Sequence, residues 1–373
     1  MSSAGSRTRL AILLVALPAF AGCAHETAQQ PPPPACSDFA QAIDLADRIK
    51  TLDLLSDAFS RGCYTTVIVY GTQAQEEFRH KTFRVFREAA SVFIPDGTLT
   101  DYVLESYERG FLSILLASSY EHTRKVENAR VELRRMDHEL FAPLYNFGED
   151  AVNLLLSAAL WERLGEPREA RVDWHRLRDP ATGLRGVDES LRAFADRQVQ
   201  RIDEGRSPAR AWHLYWVGRF PDIDWDLQFT GSSNGYFSVQ AREAFPPTCV
   251  SETGVRLSTR SWFEKIAVRH SGGYHPLLNI QSWIRLPVGI IYSLVPVAAG
   301  AGIAVGGCAL DVAGDGKGAL CEVAIRGGVV FMSMAPKVLR GALAPDLRHW
   351  SHVPAAFVIT TASDPANERC FHG

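Results

Sequence analysis

The chain has no Cys-x-x-Cys pair, no phosphate-binding loop and no strong excess of either charge. Each absence removes a class of function. Without Cys-x-x-Cys, or any two candidate ligands at metal-site spacing, a structural zinc site has no foundation. In Gly314-Asp315-Gly316-Lys317-Gly318 no glycine stands five residues before Gly316 and no serine or threonine follows the lysine, so this is not a nucleotide loop. A formal net charge of −3 over 373 residues is too small for a nucleic-acid footprint, and no cofactor motif is present.

What is present begins with an address. Arg7 and Arg9 precede an uncharged apolar run from Leu10 to Phe20, and Ala21-Gly22-Cys23 follows, the layout of a secretory signal over residues 1–22 with Cys23 as lipid attachment site. An uncleaved N-terminal anchor is the alternative, although the run is short for a span. Similarity to bacterial lipoproteins implies the outer membrane, because Ala24 and not aspartate follows the cysteine. Gln29-Gln30 and Pro31 to Pro34 make residues 23–36 an extended tether. The rest is long enough for two domains. Acids outnumber bases from Ser37 to Gly205 and bases outnumber acids afterwards, so the expected domains are 37–205 and 206–373. In an oxidising compartment the remaining cysteines are expected as disulfides. Spacing alone does not select among the pairings; proximity and domain membership favour Cys36–Cys63, Cys308–Cys321 and Cys249–Cys370.

The expected fold class is α+β, an all-α helical array followed by a mixed, strand-containing domain. Phe39 to Phe59 carries apolar residues at helical intervals, and Tyr64 to Tyr70 reads as the next helix in spite of its β-branched residues. Tyr102 to Asp137 reads as two helices joined by a short turn. Ala151 to Pro180 repeats that layout, with Leu154, Ala158, Trp161, Gly165, Ala170 and Trp174 at tetratricopeptide intervals. Ala117, Tyr120, Ala129 and Leu133 stand at the equivalent places of the preceding frame, where Arg124 replaces the turn glycine. Small residues there let paired helices approach, and the aromatics fill the space between pairs. A generic helical bundle is the alternative. Glu132 with Arg135, and Glu162 and Glu166 beside Arg163, are expected on solvated faces. Glu132, Arg134 and Arg135 are the candidates for facing a partner.

Tyr107, Glu108, Arg109, Tyr120, Ala129, Val131, Glu132, Leu133, Arg134 and Arg135 also carry a resemblance. The region resembles a poorly characterised family of bacterial outer-membrane lipoproteins with tetratricopeptide-like repeats, whose signature runs Tyr-Glu-Arg, an apolar helix ending in Tyr, then Ala-x-Val-Glu-Leu-Arg-Arg. It implies an envelope role and names no reaction.

After Gly205, Trp212 to Val217, Trp225 to Phe229, Tyr236 to Val239 and Val329 to Met334 are short, aromatic or β-branched, and read as strands. Leu286 to Leu310 is uncharged throughout and holds Gly302-x-x-x-Gly306, but Pro287, Pro296 and its glycines make it a poor continuous helix. A buried glycine-rich core segment, a transmembrane span and a membrane-apposed hairpin are its three readings, the first favoured. Gly231-Ser232-Ser233-Asn234-Gly235 fits the turn that exposes a serine nucleophile, with His270, His275, His349 and His352 downstream as bases, yet the strand pattern after it favours a plain hairpin turn. Asp311 to Glu322 is an incomplete calcium loop, lacking an acid at Ala313. Taken together, these readings point to a non-enzymatic lipoprotein scaffold on the periplasmic face of the outer membrane, holding an envelope protein partner in a helical groove and no nucleic acid. The rivals are an envelope serine hydrolase using Ser233 and a membrane-inserting assembly component using 286–310.

Overall fold

A computed structural model describes residues 35–78, 102, 104–141, 150–206, 211–227, 237–270, 276–313, 319–337 and 347–361. The chain divides into two units, Met1–Pro34 and Ala35–Gly373. The signal, Cys23 and most of the tether lie in the first, outside the described residues.

The second unit opens with helices α1 (Cys36–Ala42), α2 (Arg48–Ser60), α3 (Tyr64–Phe78), α4 (Ser106–His122), α5 (Val126–Phe141), α6 (Ala151–Arg163), α7 (Pro167–Arg178) and α8 (Glu189–Asp203). Four of them stop the same way. The amides of Cys63, Lys125, Glu166 and Arg206 donate to the carbonyls of Ala58, Tyr120, Trp161 and Arg201, while the residue before each donates to Phe59, Glu121, Glu162 and Ile202. This paired pattern closes a helix only if the residue after it takes a left-handed backbone. Gly62, Gly165 and Gly205 do so at no steric cost, and Arg124 does so at φ 60 against its Cβ. Arg124→Gly is therefore expected to raise stability by about 1 kcal/mol, read as a higher denaturation midpoint with an unchanged slope.

Strands β1 (His213–Val217), β2 (Ile223–Leu227), β3 (Phe237–Ala241), β4 (Cys249–Val250), β5 (Gly254–Ser258) and β6 (Ala356–Thr360) follow, with α9 (Arg260–His270), α10 (Pro276–Ala313) and α11 (Ala319–Met332) between β5 and β6. An antiparallel sheet has the order β1-β6-β5-β4, and β2 pairs with β3 alone. Every residue of β5 and β6 is buried. The fold class is thus α+β.

The core runs across residue 205 without a break. Phe111 of α4 packs its ring against Trp216 of β1, Trp262 of α9, Trp350 and Phe357 of β6, at centroid separations of 5.1 to 6.0 Å. Arrangements of this kind add about 1 kcal/mol per pair beyond burial. Asp53 of α2 accepts from the backbone amides of Ser351 and His352 and from the Ser351 hydroxyl, tying the approach to β6 onto the helices. The shift in composition near residue 205 marks a change of secondary structure inside one unit.

Disulfides join Cys36 to Cys63 and Cys308 to Cys321, as expected. Cys249 is also disulfide-bonded, and its expected partner Cys370 lies outside the described residues. One strand expectation fails, because Val329 to Met332 belongs to helix α11. Its β-branched residues follow Gly327-Gly328, where α11 presses onto α10, and that packing outweighs local strand preference.

Candidate functional site

The least ordinary feature is the hairpin of α10 and α11. Both prolines are carried inside α10, a continuous helix of 38 residues and about 57 Å. Close packing on α11 supports its second half. A side chain at Gly300 would run into the carbonyl of Gly328, one at Gly328 into that of Gly300, and one at Gly307 into Ala324. Glycine stands at these places because the two backbones nearly touch. Cys308–Cys321 closes the same seam near the turn between the helices.

Outside that seam the hairpin is apolar and uncovered. Ile290–Leu310 has a mean hydropathy of 1.8 and is only 6% buried, which overturns the favoured expectation of a buried core segment. Ile291, Leu294, Val295, Val305 and Leu310 on α10, and Val323, Val329 and Val330 on α11, are exposed. A surface helix of a water-soluble protein keeps one apolar stripe toward its core and a polar face outward. Here the outward face of α10 over Ile290–Leu310 is apolar too. Twenty-one residues rise about 31 Å, which matches a hydrocarbon layer of about 30 Å.

Gly302 and Gly306 do not take part in the seam, since nothing lies within 4 Å of a side chain built at either. Arg285 and Asp311 of α10 fall outside Ile290–Leu310, and on α11 Arg326 donates to Glu322 one turn away, both exposed.

A second cluster lies in the core. Glu108, third residue of α4, accepts from the Tyr102 hydroxyl at 2.6 Å and from the amides of Glu105 and Trp350, each at 2.8 Å. Burial pushes its carboxyl up to about 7, Glu105 adds to the rise, and the Tyr102 and backbone hydrogen bonds oppose it. Tyr107 stacks on Trp262, and Arg109 pairs with Glu139 while donating to the Leu104 carbonyl. The Tyr-Glu-Arg triplet is a structural junction. Asp150 caps α6 through the Asn153 amide and accepts from the Trp262 indole. Sequence reasoning passed over Glu108 and Asp150, although an acid three residues after a helix entry, or directly before a helix, is a capping signal.

The structure buries all but one of the candidate repeat residues. Ala117, Tyr120, Ala129, Leu133, Ala158, Trp161, Ala170 and Trp174 are buried in the common core. Gly165 is exposed with no neighbour in reach, so it serves the turn and not the packing. Glu132, a candidate for facing a partner, is not at the surface. It is buried, it accepts from Gln75 at 3.0 Å, and desolvation holds its carboxyl above the usual range. Arg135 is half-buried beside it and Arg134 is exposed. Glu162 is likewise not a solvated residue, since it accepts from Trp174 of α7 and Arg201 of α8 and joins three helices.

Ser233 and its flanking glycines lie outside the described residues. Antiparallel β2 and β3 flank them, where a nucleophile turn needs a strand followed by a helix. His270 and His275 have no described side chains. His352 pairs with Asp57, and His349 meets the Leu347 carbonyl. No protein-family model, curated protein or solved structure matches this chain.

Proposed function

We propose that this chain is a membrane-inserting envelope protein whose folded body carries α10 and α11 into a bilayer, acting as a non-enzymatic assembly or docking component. One observation carries the reading: Ile290–Leu310 of α10 is apolar on its outward face and almost wholly uncovered over a length that fits a bilayer. The Cys23 lipid and its tether would hold the body beside the same membrane.

The disulfides favour one membrane. Cys36–Cys63 belongs to the body and Cys308–Cys321 to the closed end of the hairpin. If the hairpin crosses, these bonds sit toward opposite faces, and both faces must be oxidising. That condition supports the outer membrane over an inner one, whose far side is reducing. A membrane-impermeant amine reagent applied to intact cells is expected to label Lys317, between the two helices, and Lys317→Arg to abolish that label. Labelling of Lys317 no stronger than that of Lys50 in the body would count against crossing.

The body supports the scaffold reading as well. Repeated helix closures at Gly62, Arg124 and Gly165, with buried Ala117, Ala129, Ala158 and Ala170 between paired helices, are what tetratricopeptide-like units require. We read α2 to α7 as such units, presenting the body to an envelope partner while the hairpin holds the membrane.

A further inference from the structure

We infer that two copies of this chain associate inside the bilayer through the outward face of α11, exchanging Glu322 and Arg326 across a two-fold axis. This rests on the insertion proposed above.

Cys321, Ala324, Gly328 and Met332 of α11 turn toward α10, whereas Glu322, Arg326, Val329, Val330 and Ser333 turn away and are exposed. The seam fixes the depth of the charges. Gly328 meets Gly300 and Ala324 meets Gly307, so Arg326 stands level with Ile303 and Ala304, about 10 Å inside the Leu310 end of the span, and Glu322 lies one turn nearer that end. In water the exposed pair, with side chains 65% and 79% accessible, needs no further explanation. In hydrocarbon it does. Arg326 gives Glu322 a hydrogen bond from one of its five N–H donors, and neither the other donors nor the remaining carboxylate lone pairs have water to turn to.

The occupant of this face must offer both an acceptor and a donor within one helical turn of each other. A partner helix with a single charge would satisfy one member and repel the other. A second copy carries the complementary set, because a two-fold interface places Glu322 of each chain against Arg326 of the other. The neighbouring Val329 and Val330 offer apolar surface to such a contact, and Ser333 adds a small residue beside them. The interior of a membrane is where such pairs mark function.

The test uses full-length protein in liposomes, with two affinity tags to score association and protease protection of Ile290–Leu310 to score insertion. Wild type is expected to capture wild type. Arg326→Glu copies should not capture one another, nor should Glu322→Arg copies, but a mixture of the two should associate again, with at least a tenfold gain over either alone. The neutral double variant Glu322→Gln/Arg326→Gln, which inserts more easily, should also weaken capture. A protected, inserted wild type that stays monomeric overturns the inference and leaves insertion standing. So does Arg326→Glu self-capture at the wild-type level, or capture lost on Gly302→Leu/Gly306→Leu but not on the charge changes, which would assign the contact to α10. Loss of wild-type protection overturns insertion and the pairing together.

Discussion

Glu108→Ala is expected to lower folding stability by about 3 kcal/mol or more at pH 5, enough to leave a marginal domain partly unfolded. The side chain is wholly enclosed, and its removal takes away the acceptor used by the Tyr102 hydroxyl and by the Glu105 and Trp350 amides at once. These donors come from the segment before α4, the start of α4 and the approach to β6, so one substitution loosens the junction between helices and sheet. The same group makes stability depend on pH. Burial holds Glu108 at about 7 against an ordinary 4.5, and burial likewise raises Asp173 to about 7 from 3.8, with Arg176 opposing. The folded state therefore keeps protons that the unfolded chain releases. Stability is full below about pH 4 and falls as pH rises through 7, by about 3 kcal/mol for Glu108 alone. Melting at pH 5 should exceed melting at pH 8, and Glu108→Gln with Asp173→Asn should flatten the difference. A wild-type melting temperature that is constant or rises across this interval would contradict the assignment.

The second large effect belongs to the hairpin. Val305→Asp, alone and with Val295→Asp, is expected to abolish bilayer partitioning while leaving the folded body intact. Val305 is 70% exposed, so in water a carboxylate there meets solvent and costs nothing. In hydrocarbon each acid costs about 3 kcal/mol, close to a hundredfold in partition, and two make the membrane-bound form negligible. Opposite outcomes in the two media separate insertion from a soluble apolar surface. Vesicle flotation of a Cys23→Ala protein, free of any lipid anchor, is the measurement, and undiminished flotation of the double variant would refute the reading.

The helical half was legible because its cues are local. Turn glycines at 62 and 165, the alanine pairs Ala117/Ala129 and Ala158/Ala170 on either side of the turns, and the aromatics Tyr120, Trp161 and Trp174 announce hairpins from composition and period alone. Arg124 was legible only by analogy with Gly165. The sheet was partly hidden, since β6 takes its neighbours β1 and β5 from far along the chain and its Phe357-Val358-Ile359 run has no alternation to betray a strand buried on both sides. Glu108, Glu132 and Glu162 were misjudged or passed over for one reason: a charged letter reads as solvent-facing until the elements that bury it are assembled. The hairpin was the hardest case. Pro287 and Pro296 argued against a helix, and Val329 to Met334 argued for a strand. What reverses both is the contact of Gly300 and Gly307 with Gly328 and Ala324, which spacing within either segment does not contain.

Insertion of α10 is the claim on which the functional account stands, and proteinase K digestion of the purified protein in sealed liposomes tests it most directly. The account predicts that the body is digested while a vesicle-bound fragment containing Ile290–Leu310 survives until detergent is added. Cleavage within Ile290–Leu310 at the same rate before and after detergent, with no fragment retained by the vesicles, would contradict it.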